Sequence, residues 1–247
     1  MLEGTLIQTL IVVLFASVVM GLTGFGFALI ALPLLIIFLP LKTAVPLITL
    51  CSVILNGYML YNVRRSVQVR RILPLTVMGV LGMITGTYFL VSAEITTLKL
   101  FIGLMVALFA IIYLTGFTWK IKNERLAFVP VGFLSGLLGG AMSISGPPIV
   151  LLFSNQEMEK KTFRANLIAY FLGLYLATTL NYLISGLVST ELLQDAVYMI
   201  PVLIIGTMLG TRLYEVVDEG LFRKTTLILV LITGFMTILS SLSVNHP

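Results

Sequence analysis

The chain is a series of long uncharged stretches separated by short charged connections. The stretches cover residues 4–41, 43–63, 72–93, 100–119, 126–156, 165–190, 196–211 and 225–247. Most of them have about the length that an α-helix needs to cross a bilayer. Because backbone amides in hydrocarbon must be hydrogen-bonded within their own segment, the pattern predicts an all-α polytopic membrane protein.

The composition excludes a water-soluble globule. Hydrophobic residues make up 59% of the chain and charged residues only 10%, whereas soluble domains carry roughly 25% charged residues. Glu3 precedes the first apolar stretch, which has no basic leader and continues past residue 30, so we expect it to belong to the mature fold and not to a cleaved signal peptide. The single Cys51 has no partner cysteine and is interpreted as a packing residue.

Two of the stretches are too long for one simple span and carry helix-breaking clusters near their middles. The clusters are Gly21–Gly26 in segment 4–41 and Gly139–Pro148 in segment 126–156. Glycine runs and consecutive prolines interrupt helices, so each segment is predicted to break there.

The basic residues indicate how the broken segments lie in the membrane. If each segment turns back to its starting side, every basic residue except Lys42 and Lys99 falls on the cytoplasmic side. If each crosses once, that bias disappears. The charges therefore favour the re-entrant arrangement, with both termini and a loop carrying Glu191 and Asp195 outside, although full crossing stays open as the alternative.

The two halves of the chain carry the same landmarks. Gly21, Leu22, Gly24 and Pro33 recur 115 positions later, as Gly136, Leu137, Gly139 and Pro148. Repeat 1 covers 1–119, with broken segment 4–41 and spans 43–63, 72–93 and 100–119; repeat 2 covers 120–247, with broken segment 126–156 and spans 165–190, 196–211 and 225–247. Three spans per repeat invert the second copy, an arrangement typical of secondary transporters. Gly82, Gly86, Gly206 and Gly210 lie inside regular spans and are interpreted as close-packing positions.

The break motifs resemble those of a known family. Gly21-Leu-Thr-Gly-Phe-Gly-Phe with Pro33, and Gly136-Leu-Leu-Gly-Gly with Gly146-Pro147-Pro148, are similar to motifs of the sulfite exporter TauE/SafE family. The resemblance covers essentially the whole chain. It implies a secondary transporter that exports sulfite, or a sulfonate such as sulfoacetate, across the bacterial inner membrane. The alternatives are uptake or exchange of another organic anion or thiosulfate, and a membrane scaffold that transports nothing.

The residues at the breaks indicate an anionic substrate. A half-helix that begins inside the membrane directs free N–H groups and a partial positive charge into the site. Glycines allow close backbone approach, and hydroxyl and amide side chains can donate to oxyanion oxygens. The predicted substrate-binding residues are Thr23, Gly24, Phe25, Gly26, Asn56, Gly139, Gly140, Ser143, Ser145, Gly146, Asn166 and Tyr170.

Other classes of function find less support. The uncharged stretches contain no acid and no grouping suited to a metal or a nucleophile, so we expect no enzyme, cofactor, metal site or proton relay. The partners expected are a small anion and the bilayer, with no nucleic acid, and transport is expected to be driven by the membrane potential. Arg212 is interpreted as snorkelling to the headgroups, Trp119 as an interface anchor and His246 as inert.

Overall fold

The computed structural model describes residues 4–115, 124–154, 156 and 158–213. These residues form helices and no strand, which confirms the all-α prediction for this part of the chain. The helices are α1 (Leu6–Thr23), α2 (Phe27–Leu35), α3 (Leu41–Val63), α4 (Val69–Ser92), α5 (Ile95–Leu114), α6 (Glu124–Met142), α7 (Gly146–Ser154), α8 (Lys160–Ile184), α9 (Thr190–Tyr198) and α10 (Ile200–Leu213), with a 3-10 turn at Arg64–Ser66.

Within the described residues, α1, α3, α4 and α8 are each long and apolar enough to cross a membrane, and α9 with α10 forms a fifth, bent candidate. The outer faces suit lipid. On α4, Leu73, Val77, Leu81 and Ile84 are exposed at intervals of a helical turn, which is the pattern of a stripe facing hydrocarbon. The chain is a multi-pass membrane protein.

Glycines set the closest helix contacts. A Cβ on Gly82 would lie 2.0 Å from the Phe133 carbonyl oxygen, where α4 packs on α6. A Cβ on Gly210 would lie 2.0 Å from the Val18 carbonyl oxygen, where α10 packs on α1. Backbones can approach this closely only where no side chain intervenes. The packing role predicted for these glycines is confirmed.

The structure differs from the sequence prediction around residue 195. Instead of a loop at Glu191 and Asp195, helix α9 begins at Thr190 and is bent by 42° relative to α10. Ser189 Oγ accepts a hydrogen bond of 3.2 Å from the Leu192 N–H, so it caps the new helix start. Pro201 has no N–H and its ring crowds the preceding turn, which accounts for the bend at Met199.

This change also corrects the expectation that the spans contain no acid. Asp195 is only 9% exposed and lies inside the bent candidate span. The predicted span 225–247, Trp119 and His246 lie outside the described residues.

Candidate functional site

The first break is a tight turn between α1 and α2. Gly24 and Gly26 have φ angles of +79° and +98°, values that favour glycine because it has no Cβ. The Gly24 N–H donates to the Met20 carbonyl at 2.8 Å and ends α1. Thr23 Oγ1 lies 2.8 Å from the Val19 carbonyl and also contacts the Phe25 carbonyl. The Thr23 hydroxyl therefore stabilises the turn.

The second break is centred on Ser143, between α6 and α7. Its φ of +59° is unusual for a residue with a side chain. Ser143 Oγ donates to the Val45 carbonyl at 2.9 Å and lies 2.5 Å from Thr49 Oγ1. The Tyr175 hydroxyl donates to the Ser143 carbonyl at 2.8 Å. Helices α3 and α8 thus hold the break from two sides, which is how a strained backbone persists.

The two breaks face each other across a small cavity. A Cβ on Gly146 would lie 3.8 Å from the Phe25 side chain, so the two turns are in near contact. The cavity has a volume of about 20 Å³, enough for about one water molecule. It is lined by Met20, Phe25, Gly26, Phe27, Ala28, Leu29, Ser52, Asn56, Ser143, Ile144, Ser145, Gly146, Phe171 and Tyr175.

Two side-chain oxygens at this cavity have no hydrogen-bond partner. They are Asn56 Oδ1 and Ser145 Oγ, both buried. The amide nitrogen of Asn56 donates to the Ser52 carbonyl at 2.7 Å. Buried polar groups are nearly always paired, so unpaired ones at a cavity mark a place where a polar ligand can be held.

The start of α2 supplies the backbone donors at the cavity. Phe27, Ala28 and Leu29 line it and form the first turn of α2, whose N–H groups have no acceptor within the helix. The start of α7 offers fewer, because Pro147 and Pro148 carry no N–H. No charged side chain is among the described residues that line the cavity. Positive potential there comes from the backbone.

Six of the predicted site residues line the cavity: Phe25, Gly26, Asn56, Ser143, Ser145 and Gly146. Gly24 instead lies beside Arg164, whose Cγ is 3.2 Å from the position of a Gly24 Cβ. Gly139 and Gly140 lie in the last turn of α6, where N–H groups are already bonded within the helix.

Asn166 and Tyr170 are buried but make other contacts. Asn166 Oδ1 accepts from the Gln68 N–H at 2.8 Å, which holds the connection between α3 and α4. The Tyr170 hydroxyl donates to Ser135 Oγ at 2.9 Å. Ser135 Oγ in turn donates to the Ser145 carbonyl at 2.6 Å. Tyr170 therefore reaches the second break through one intermediate side chain.

The sequence reasoning missed Ser52, Phe171 and Tyr175. Ser52 lies one helical turn before Asn56 on α3, and Phe171 and Tyr175 are one turn apart on α8. Residues at this spacing share a helix face. That periodicity, extended from Asn56, is the signal that could have found Ser52, whereas nothing in the local sequence of α8 indicates that Phe171 and Tyr175 face the cavity.

Comparison with known proteins gives a family and one relative. The family model described as "Sulfite exporter TauE/SafE" matches residues 9–237. A protein of Cupriavidus necator named "Probable sulfite/organosulfonate exporter TauE" is 30% identical, over an alignment that covers 85% of this chain and 79% of that protein. No solved structure matches the chain.

Proposed function

The chain belongs to the sulfite exporter TauE/SafE family, and from this premise we propose that it exports sulfite or an organosulfonate such as sulfoacetate across the bacterial inner membrane. The name of the Cupriavidus necator relative supports this substrate class. Both candidate substrates are small oxyanions. They need hydrogen-bond donors and positive potential in a site that is otherwise apolar.

The observation that carries the proposal is the cavity between the breaks. It combines the donor-rich start of α2 with the unpaired Ser145 hydroxyl, which can donate to an oxyanion. The Asn56 amide can add the second N–H of its Nδ2, since only one N–H is needed for the Ser52 carbonyl, whereas Asn56 Oδ1 is an acceptor and must face away from the anion. Helix N-termini bind oxyanions in many proteins because several N–H groups and the helix dipole converge. Phe171 and Tyr175 line the cavity from α8 and supply its aromatic wall.

An anion of four or more heavy atoms needs more room than about 20 Å³. The cavity must therefore widen when substrate enters. A site that changes shape around its substrate is what alternating-access transport requires.

Three features support an inverted-repeat arrangement of the two halves. The helix pairs correspond: α4 packs on α6, and α10 packs on α1. In both interfaces, matched glycines approach backbone atoms of the broken helices. These glycines are Gly82 and Gly86 in α4, and Gly206 and Gly210 in α10. Helices α3 and α8, which come after the half-helices α2 and α7, pack against each other. Such symmetry would place the substrate between the halves.

Flux measurements in proteoliposomes test the proposal. We expect labelled sulfite or sulfoacetate to be transported, and thiosulfate and a simple carboxylate to compete less well. The Asn56→Ala variant removes an amide N–H donor from the cavity, so KM should rise about tenfold or more. A tenfold rise corresponds to about 1.4 kcal/mol, close to the lower end of the range for a hydrogen bond to a charged group.

The matched control is Asn181→Ala. Asn181 is an asparagine inside a long helix, like Asn56, and is partly buried, but its amide contacts the Met83 sulfur and not the cavity. Preferential transport of thiosulfate or a carboxylate would favour the alternative substrate class. Absence of flux for every anion would leave the scaffold hypothesis in place. Equal effects of the two asparagine variants would place the site elsewhere.

A further inference from the structure

A second, larger cavity lies between the ends of three helices. It has a volume of about 690 Å³, which is within the usual range for small-molecule sites. The described residues that line it come from the end of α3, the start of α8 and the end of α10: Tyr58, Met59, Asn62, Val63, Glu159, Lys160, Lys161, Arg164, Ile168, Met208, Thr211 and Arg212. We call this cavity the basic chamber, because four of these residues are cationic and one is acidic.

Two cations of the basic chamber lie where they do not help the helix that carries them. Lys160 and Lys161 occupy the first turn of α8, and no acid lies in that turn. The start of a helix is its positive end, so lysines there are unfavourable for helix stability. Their charges add to the helix dipole and create a concentrated positive potential. An anion in the chamber would be attracted by both.

Arg164 joins the basic chamber to the first break. Its Nη2 donates to the Gly21 carbonyl at 2.6 Å, near the end of α1. Thr211 Oγ1, also in the chamber lining, lies 3.5 Å from the same oxygen. The stem of Arg164 lies against Gly24, and the next two residues, Phe25 and Gly26, line the cavity between the breaks. Arg164 is thus the inner wall of the chamber, on the side facing the proposed site.

The charge pattern orients the chamber. Val63 at the end of α3 lines the chamber, and Arg64 and Arg65 follow it directly in the chain. Clusters of basic residues mark the cytoplasmic side of a membrane protein. An exporter collects its substrate from that side.

We propose that the basic chamber is an antechamber that binds small sulfonates or sulfite from the cytoplasm before they reach the cavity between the breaks, with Arg164 as the positioning residue at its inner end. The inference rests on the proposed function for the identity of the anion. The chamber's preference for anions can be measured without transport.

The test uses a cysteine placed in the chamber. Asn62 is exposed and lines it, whereas the native Cys51 is buried, so the Asn62→Cys variant carries one accessible thiol. Its labelling rate is measured with an anionic and with a cationic methanethiosulfonate, each normalised to the rate with a free thiol. We expect the anionic reagent to be favoured about tenfold, since charged clefts concentrate counter-ions by such factors. Saturating sulfoacetate should slow labelling.

Neutralising the chamber supplies the matched comparison. Adding Lys161→Gln and Arg212→Gln to the Asn62→Cys variant should bring the rate ratio close to one. Arg70→Gln, which removes an exposed charge on the same side of the membrane outside the chamber, should leave the ratio high. Equal rates in the unmodified background, labelling that sulfoacetate does not slow, or no labelling at all would overturn the proposal.

Arg164 is tested by the same readout. If it only caps α1, Arg164→Gln lowers the melting temperature without changing the labelling ratio or the protection by sulfoacetate. If it positions the anion, protection needs a severalfold higher sulfoacetate concentration, and Arg164→Lys restores part of it. A protein that shows the ratio and the protection but transports no sulfur anion would retain the antechamber and lose the proposed function. A protein that transports sulfur anions but is labelled equally fast by both reagents would retain the proposed function and lose the antechamber.

Discussion

Ser143 combines a strained backbone with a dense set of hydrogen bonds. Among the described residues other than glycine, it alone has a positive φ. Its hydroxyl and carbonyl contact α3 and α8, and its N–H closes the last turn of α6. Each contact draws on a different helix, so together they specify the direction in which α7 leaves the break.

Two substitutions at Ser143 separate the strain from the hydroxyl. Ser143→Ala should lower the melting temperature, because loss of a buried hydrogen-bonding group costs about 1 to 3 kcal/mol. Ser143→Gly loses the same hydroxyl but relieves the left-handed strain, worth about 1 to 2 kcal/mol. The glycine variant should therefore be the more stable of the two in detergent melting experiments.

Ser17 provides the control for this predicted order of stability between the glycine and alanine variants. It is buried in the middle of α1, with its hydroxyl bonded to the Val13 carbonyl at 2.6 Å. In a helix interior glycine is about 1 kcal/mol worse than alanine. Ser17→Gly should therefore be less stable than Ser17→Ala. The same order at Ser143 would mean that its backbone carries no strain.

The sequence predicts which polar residues lie within the membrane, but it does not predict which of them face the cavity and which face another helix. Asn56 and Asn166 both stand in apolar sequence, which predicts that they lie within the membrane. Only Asn56 lines the cavity, however. Asn166 bonds to Gln68, which is 98 positions away in the chain. Nothing in the local sequence around Asn166 indicates that partner. Ser145 and Gly146 were predictable because the break itself determines where they lie.

At the scale of helices, the two half-helices are unequal. Helix α2 begins with three residues that have N–H groups at the cavity, whereas α7 has prolines in its first turn. The similar glycine motifs suggest that the two half-helices are equivalent. Their chemistry differs, however, because the first break offers backbone N–H groups and the second offers the Ser145 hydroxyl. We expect α2 to hold the negative charge and Ser145 to add a hydroxyl contact.

Gly26→Ala tests the role of α2. The nearest atoms to a Cβ there are 3.8 Å away, so the methyl group meets no clash, but φ is +98°. Strain of about 1 to 3 kcal/mol should displace the start of α2. We expect kcat/KM for sulfite to fall about tenfold while the protein still folds and purifies. Gly57→Ala is the control, since no atom lies within 4 Å of its Cβ.

Gly82→Ala is unsuitable as a control, because its Cβ would lie 2.0 Å from a backbone oxygen of α6. Transport by Gly26→Ala at the level of Gly57→Ala would mean that the start of α2 does not bind the anion.

Helix boundaries follow from local chemistry where that chemistry is strong. The glycine and proline clusters indicate where both broken segments are interrupted. Segmentation by charge predicts that this span begins at residue 196, because it assigns Glu191 to a loop and takes no account of the Ser189 cap. A capping serine followed by an acid in the first turn is a helix-start signal. It identifies α9 once capping is considered.

For the whole molecule, the re-entrant arrangement makes a prediction about sidedness. With Arg65 cytoplasmic, two re-entrant segments place Gln194 outside, whereas two full crossings place it inside. Both side chains are exposed. In intact cells a membrane-impermeant reagent should label the Gln194→Cys variant, and should label the Arg65→Cys variant only after permeabilisation. Labelling of both from the same side would favour helices that cross fully.

Energy coupling is the property of the whole molecule that the site constrains most. No ionisable acid is among the described residues that line the cavity. A potential of 100 mV, negative inside, drives a divalent anion outward by about 4.6 kcal/mol. Among the acids whose side chains are described, Asp195 alone is buried, and one of its oxygens has no hydrogen-bond partner. It is therefore the described acid whose substitution tests for a coupled proton.

We expect export of sulfoacetate to follow the membrane potential and to be insensitive to the proton gradient. In liposomes, a potassium diffusion potential should raise flux, and a protonophore should leave flux unchanged when the voltage is held at zero. Sulfoacetate is the better probe because sulfite itself titrates near neutral pH. Asp195→Asn should keep the same dependence on voltage, with Asn181→Ala as a control for altered packing. If the protonophore stops flux in the parent and has no effect on Asp195→Asn, Asp195 carries a coupled proton and export is not a uniport.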